Sequence, residues 1–571
     1  MSRLAVVVLD SAERSFLHEL VDAGELPILA GLVERGAEWP LRGDVPYRAE
    51  YANTELLTGR APATTRYWST VVFDPDSYAC ATVGSARREP FYAVPDLEVV
   101  AFDVPHAVLV DGQPGAQVVG WGGHDARFQH PRASLPSGLM AEIDARFGPD
   151  PSTAVEFTGS WHQERYLRAL ADSLVASARR RADISIRLLR RHPGWDLVVT
   201  GLSELHSAGH NMAHGVDPSH QLGSHPSAAL ARRCFVEVYR AVDDAVGRIE
   251  AALPDDAVLG ALTPKGMRPN RDDVASAVLV PELLHRLAGG RPFLHEPTHR
   301  AWRRRGHPPV APDPARRSGD RLDRLGAGGP LAPLKRWYHL AAPPAAMRAT
   351  RQLRNVAPVR AVLDRDRDRR APRRVAPVPP DGEPVVLAGT VDWHPAMRYH
   401  HRWPSMPWFA LPSFSDAHIR VNLAGRESGG IVAAADYHPA CDRLEAELRD
   451  AIDPRTGEPV VDDVIRLRAD DPFAPDGPGA DLVVTVRAPV DALEHPRAGT
   501  VGPFAFPRSG SHTTAGFLLL AGPGIEPGAR EEQPAIRLAA TMLQLLGVRP
   551  PFPLDGPPLT GLDLPLPGVS A

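Results

Sequence analysis

Six apolar side chains in a row, Leu4-Ala5-Val6-Val7-Val8-Leu9, close on Asp10. A strand with one wet face alternates apolar and polar residues, so an unbroken run predicts a strand covered on both faces. Strands of that kind belong to parallel sheets flanked by helices. The next segments fit such a sheet. Ser15 to Val21 carries apolar residues at helical spacing with Gly24 as a stop, and a second short helix is predicted over 27–35, ending at Gly36. Further strands are predicted at 196–200, 257–262, 482–486 and 517–520, and helices at 228–252 and 534–546. The expected fold is α/β: a mostly parallel central sheet with helices on both faces, built by 1–290 and 384–571. Between them, 291–383 is rich in Arg, Pro, Ala and Asp and includes Asp364-Arg365-Asp366-Arg367-Asp368-Arg369-Arg370. It reads as an insertion or linker, either a lid or a solvated insert, with helical pieces near 333–363.

Composition narrows the function classes. The chain of 571 residues is 43% hydrophobic and 23% charged, which allows a large core and excludes a mainly disordered protein. A net charge of −5 gives no global attraction to nucleic-acid polymers or acidic membranes. Cys80, Cys234 and Cys441 are too few and too far apart for a disulfide scaffold or a CxxC zinc ribbon. No stretch approaches the roughly 20 apolar residues that span a bilayer, and the opening run is too short for a signal-peptide core. A soluble, cytoplasmic protein is expected. Basic residues are almost all arginine; Lys265 and Lys335 are the only lysines. That bias weakens any reading of single arginines and singles out Lys265.

Three short elements carry chemistry. Asp10 stands at a strand end, where α/β sheets gather their functional side chains; capping a helix is the alternative use of such a residue. Glu204-Leu205-His206-Ser207-Ala208-Gly209-His210 follows the strand at 196–200. One helical turn there would put both imidazoles on one face, where they can share a metal. Arg508-Ser509-Gly510-Ser511-His512 places a loop histidine before the strand at 517–520. Three further features are secondary. His124, in Trp121-Gly122-Gly123-His124, lies on a predicted loop and offers a substrate contact. Arg420 and Arg426 either bind a substrate anion or pair with acidic residues inside the fold. Trp393, Trp403 and Trp408, with His394, His400 and His401, form either a pocket rim or packed core and loop.

These pieces belong to an ordered set: VVVLDSAERSFLHELVDAGELPILAGLVERGA at the start, TELLTGRAPATTRYW (Thr54–Trp68), DLVVTGLSELHSAGH, LTPKGMRPN (Leu262–Asn270), LPSFSDAHIRVNLAGRE (Leu411–Glu427), RSGSHTTAGFLLLAGPGI and LAATMLQLLGVRPPFPLDGPPL. The set resembles type I phosphodiesterase/nucleotide pyrophosphatase proteins of the alkaline phosphatase superfamily, over all but 291–383. The resemblance implies an alkaline phosphatase-like fold and a two-metal site, usually zinc, with a Thr or Ser nucleophile. Asp10 matches the first metal-binding Asp, His210 the His of an Asp-x-x-x-His element, and His512 the late His. His206 stands where that element has Asp. Pro264-Lys265 replaces an expected Asp-His pair. The nucleophile window, Tyr47-Arg48-Ala49-Glu50-Tyr51, holds no Ser or Thr, and Thr54 is the nearest hydroxyl.

The implied site is therefore remodelled. His206, His210 and His512 hold one zinc as three neutral imidazoles with an open fourth position. Lys265 takes the second metal's place, pairs with Asp10 and faces a phosphoryl oxygen. The implied activity is hydrolysis of a small phosphate ester or diester by a zinc-activated water. The alternatives are a catalytically inactive relative that binds a ligand or partner, and a phosphoryl transferase in a biosynthetic pathway.

Overall fold

The computed structural model describes residues 3–43, 51–83, 89–122, 132–155, 161–217, 220–293, 302, 304, 306, 387–391, 394–475 and 477–562. Leu4–Leu9 lies in the middle of a ten-stranded sheet, parallel to Leu197–Leu202 on one side and Val258–Thr263 on the other. Beyond Leu197–Leu202 come Val99–Phe102 and Gly115–Val119, both parallel, and then antiparallel Ala133–Leu135. On the other side, Ala515–Ala521 runs antiparallel between Val258–Thr263 and Ala37–Arg42. The short strands Gly528–Ala529 and Gln533–Pro534 close that edge. The fold is thus α/β, with a mostly parallel central sheet.

The unbroken apolar run is explained by two cores. Ala5, Val7 and Leu9 point into one, together with Leu167, Leu174, Phe235 and Val242 of the helices Glu164–Arg191 and Ala228–Glu250. Leu4, Val6 and Val8 point into the other, with Leu56, Leu538 and Met542 of Ala52–Thr58 and Leu538–Leu546. Each fully buried Val or Leu contributes about 1.5–3 kcal/mol, so neither face of this strand tolerates a polar residue. The first helix, Arg14–Asp22, starts where the Glu13 carboxylate accepts from the Ser15 and Phe16 N–H groups.

One predicted strand sits elsewhere. Leu482–Val486 pairs with Ala417–Val421 and Val461–Arg466, and Ala417–Val421 with Trp408–Leu411, in a separate antiparallel sheet of four strands. This sheet has its own core around Phe409, Ile419, Leu482 and Val484. Trp403 stacks on Phe409 with ring centroids 4.7 Å apart. Trp403 and Trp408 are therefore packed side chains rather than a rim. His394 is buried, with Nε2 2.9 Å from Ser413 O, and burial pushes its pKa down to about 4. Trp393, the pieces near 333–363 and nearly all of 291–383 lie outside the described residues. Among the described residues, no helix is long and apolar enough to cross a membrane. The three cysteines are buried and form no disulfide.

Candidate metal centre

Three chain segments leave the sheet side by side. The register aligns Leu9 with Leu202 and Val8 with Leu262. Asp10, the helix Glu204–Met212 and the Thr263-Pro264-Lys265 turn therefore emerge together, at the carboxyl ends of parallel strands. The chain turns at Ser11 with φ 61. The Ser11 N–H donates to Thr263 Oγ1 at 3.1 Å, and that hydroxyl donates to Lys265 O at 2.6 Å. One side chain thus ties the Asp10 turn to the Lys265 turn.

His206 and His210 lie one turn apart on Glu204–Met212, with ring centroids 4.9 Å apart. His512 comes from Gly510–Thr513, which pairs antiparallel with Gly266–Pro269 and sets His512 opposite Met267. Two glycines let helix and ribbon close up. A Cβ on Gly510 would stand 2.2 Å from Gly209 O, and one on Gly209 would stand 2.6 Å from Met267 Cγ. The His512 ring centroid lies 4.6 Å from that of His206 and 4.8 Å from that of His210.

The hydrogen bonds fix how the rings point. His206 Nδ1 is 2.8 Å from Asp10 Oδ2, and a carboxylate only accepts, so Nδ1 carries the proton. His210 Nδ1 likewise donates to Gly510 O at 2.9 Å. The two Nε2 atoms face one another at 3.1 Å, and the Arg508 Nη1 group also reaches His210 Nε2, at 2.8 Å. One ligand atom from each of His206, His210 and His512 lies within 4.8 Å of the others. Two nitrogens bound to tetrahedral zinc at ~2.0–2.1 Å stand about 3.4 Å apart, so the His206–His210 pair is nearly spaced for it. An acceptor on the far ring nitrogen is the usual way a metal-binding imidazole is oriented. The donor set fits zinc.

Asp10 and Lys265 are each 2% exposed. Asp10 Oδ1 accepts from Ser11 Oγ at 3.1 Å and lies 4.0 Å from Lys265 Nζ, within ion-pair range but beyond a hydrogen bond. The carboxylate is thus shared: one oxygen orients His206 and the other faces the ammonium.

Two supports escaped the reading of the sequence. Arg508 clamps Asp273 through Nε and Nη2 at 2.6 and 3.0 Å, and its Nη1 donates to His210 Nε2 at 2.8 Å. Its position four residues before His512 was the available signal, obscured by the abundance of arginine. The second support is Arg181, fully buried, which forms ion pairs with Asp103 at 2.8 Å, Glu204 at 2.9 Å and Asp150 at 3.5 Å. Glu204 opens the histidine helix, and burial pushes its carboxyl up to about 7 despite the guanidinium beside it. Nothing in the local sequence around Arg181 marks it out.

For Arg420 and Arg426, read either as binders of a substrate anion or as partners of acidic residues inside the fold, the structure shows the second arrangement. Arg420 Nε donates to Glu427 Oε1 at 2.6 Å, and Arg426 makes two 2.7 Å bonds to Asp481. A buried guanidinium needs such carboxylates, and these two arginines are structural. His124 and residues 47–50 of the nucleophile window lie outside the described residues. Thr54 is buried on Ala52–Thr58.

No protein-family model and no curated protein sequence matches the chain. Chains of solved structures do match, 163 of them. One is phosphonoacetate hydrolase from Sinorhizobium meliloti in complex with phosphonoformate, at 13% identity and a TM-score of 0.46, covering 94% of each chain. Another is an inactive murine ectonucleotide pyrophosphatase/phosphodiesterase 5 in complex with AMP, at 9% identity and a TM-score of 0.43, covering 97% of each chain. A third is wild-type alkaline phosphatase PafA, at 10% identity and a TM-score of 0.48, covering 98% of this chain and 99% of that one. At these scores none of the three carries chemistry over to this chain.

Proposed function

We propose that this protein is a metal-dependent hydrolase of small phosphate esters or diesters, built on one zinc held by His206, His210 and His512. The observation that carries the reading is the pair of facing Nε2 atoms, each fixed by an acceptor on the opposite ring nitrogen. When bound, such a zinc supplies an activated water and a Lewis acid. The chain's own residues do the rest. Asp10 holds the His206 ring, Gly510 O holds the His210 ring, and Lys265 keeps a positive charge within 4.0 Å of Asp10. That ammonium, with the Arg508 guanidinium 2.8 Å from His210, makes the site suited to an anionic substrate. A bound substrate is thus oriented by fixed cations, and no side-chain nucleophile is required.

The test is hydrolysis of bis-p-nitrophenyl phosphate and p-nitrophenyl phosphate by the stripped and the zinc-reconstituted protein. Activity restored by zinc and abolished in His512→Ala supports the reading. A protein that binds zinc and phosphate without turning over either ester is instead a binding relative.

A further inference from the structure

We propose that an arginine-lined groove, apart from the histidines, is a second binding site for a small polyanion with three or more negative charges on phosphate or carboxylate groups. The proposal is independent of the metal reading. The groove, of about 620 Å³, runs between the helices Leu139–Phe147 and Ala228–Glu250 and over the last turns of Glu164–Arg191. Asp183, Arg187 and Arg190 share one face of that last helix by their spacing. Arg181, two residues before Asp183 and so about 200° away around the axis, is the fully buried residue that reaches Glu204. The groove therefore lies on the outer side of the helix whose inner side supports the histidine helix.

Its charges do not balance. Five guanidiniums line it, those of Arg146, Arg187, Arg190, Arg191 and Arg248. Two carboxylates face them: Glu142 is shared by Arg187 and Arg191 at 2.6 Å from each, and Asp183 pairs with Arg248. Arg146 and Arg190 are exposed and form no ion pair among the described residues. Other surface arginines have a carboxylate of their own, as Arg232 has Glu19 and Arg240 has Glu25. Arg146, Arg190, Arg191 and Arg248 also stand in the last turns of their helices, where a cation is favoured. Each helix end offers only about half a unit of negative charge, so a surplus of cations remains.

That surplus selects the ligand. Several anionic groups on one compact molecule meet guanidiniums from three helices, and the planar forks suit phosphate and carboxylate oxygens alike. Phe147 and Ile186, each partly exposed, add apolar surface beside the cations. A long polyanion is disfavoured, because the chain as a whole carries a net charge of −5. Exposed charges are screened by salt, so the binding weakens as ionic strength rises.

Tripolyphosphate and citrate are the probes, with inorganic phosphate as the control of lower charge. They are titrated calorimetrically, at low and at physiological salt, into the full chain as wild type, the double variant Arg146→Ala with Arg190→Ala, Arg190→Glu, and His512→Ala. Wild type should bind tripolyphosphate or citrate at least tenfold more tightly than inorganic phosphate, and at least threefold more weakly at the higher salt; the tighter of the two probes shows which oxyanion the groove prefers. The double variant should lose tenfold or more in affinity with its thermal unfolding unchanged, since neither side chain is paired in the fold. Arg190→Glu should lose as much and covers the case in which the double variant fails to fold. His512→Ala should bind the probes as wild type does, whether or not the histidines hold a metal. Wild type that binds neither probe, or binds inorganic phosphate as tightly, overturns the proposal. So does an affinity unchanged in both arginine variants, or a loss confined to His512→Ala, which would place the polyanion at the histidines.

Discussion

Replacing Asp10 by Ala separates two jobs that one carboxylate performs. Its Oδ2 accepts from His206 Nδ1 at 2.8 Å. Losing an outer partner of this kind typically weakens a metal site by about 10–100-fold, or ~1.4–2.7 kcal/mol. Its Oδ1 lies 4.0 Å from Lys265 Nζ. At an effective dielectric near 20, two unit charges at that distance attract by about 4 kcal/mol. Removing one partner of a buried pair costs about 3–5 kcal/mol, because the other charge is left uncompensated. Asp10→Ala should therefore lose both stability and zinc affinity. Adding Lys265→Met removes the stranded ammonium and should recover most of the stability. It should not recover zinc affinity, because His206 still lacks its acceptor. Urea unfolding reads the first quantity and competition against a zinc chelator reads the second. A double variant that regains zinc affinity along with stability would refute the argument, since charge alone would then explain both effects. So would an Asp10→Ala protein whose zinc affinity stays within twofold of wild type.

Four further outcomes are expected. Gly510→Ala drives a methyl into Gly209 O, at 2.2 Å before relaxation, and should cost about 1–3 kcal/mol of stability together with zinc affinity, read by thermal unfolding and chelator competition. Arg181→Met leaves Asp103, Asp150 and Glu204 buried without their cation and should cost about 3–5 kcal/mol in urea unfolding; a loss under 1 kcal/mol would show that the carboxyls are held neutral instead. Burial, helped by nearby Asp272, pushes the Asp416 carboxyl up to about 8, so the folded chain holds a proton that the unfolded chain releases near pH 4. Stability linked to this group is full below about pH 4 and is lost as pH rises towards 8; Asp416→Asn should raise the Tm at pH 9, leave it nearly unchanged at pH 4, and flatten the slope between. If the enzyme is active, Lys265→Ala should lower turnover by roughly 100-fold or more with zinc retained, and Lys265→Arg should rescue poorly; full activity would reduce Lys265 to a structural role.

What the sequence made legible was local and periodic. The Leu4–Leu9 run, the spacing of His206 and His210, and the position of His512 before a strand each depend on a few neighbouring residues. Leu4–Leu9 is found in the centre of the sheet and the histidine pair on a helix over Glu204–Met212, whereas His512, expected on a loop, lies within the short strand Gly510–Thr513, whose partner Gly266–Pro269 is distant in sequence. Sheet membership was not legible. Leu482–Val486 and Leu197–Leu202 are both short apolar runs, yet they belong to different sheets, because pairing is decided by partners far along the chain. Ion pairing was equally hidden. Arg420 and Arg508 look alike in sequence; what separates them is Glu427 seven residues away in one case and Asp273 over two hundred residues away in the other. Composition obscured both, since a chain with almost no lysine uses arginine for every purpose.

X-ray absorption at the zinc edge tests the central claim most directly. Zinc-loaded wild type should carry one zinc per chain, with about three imidazole nitrogens at 2.0–2.1 Å, and His512→Ala should lose one of those nitrogens or the metal itself. A wild type that holds no zinc, or a zinc whose shell is unchanged in His512→Ala, would contradict the three-histidine centre.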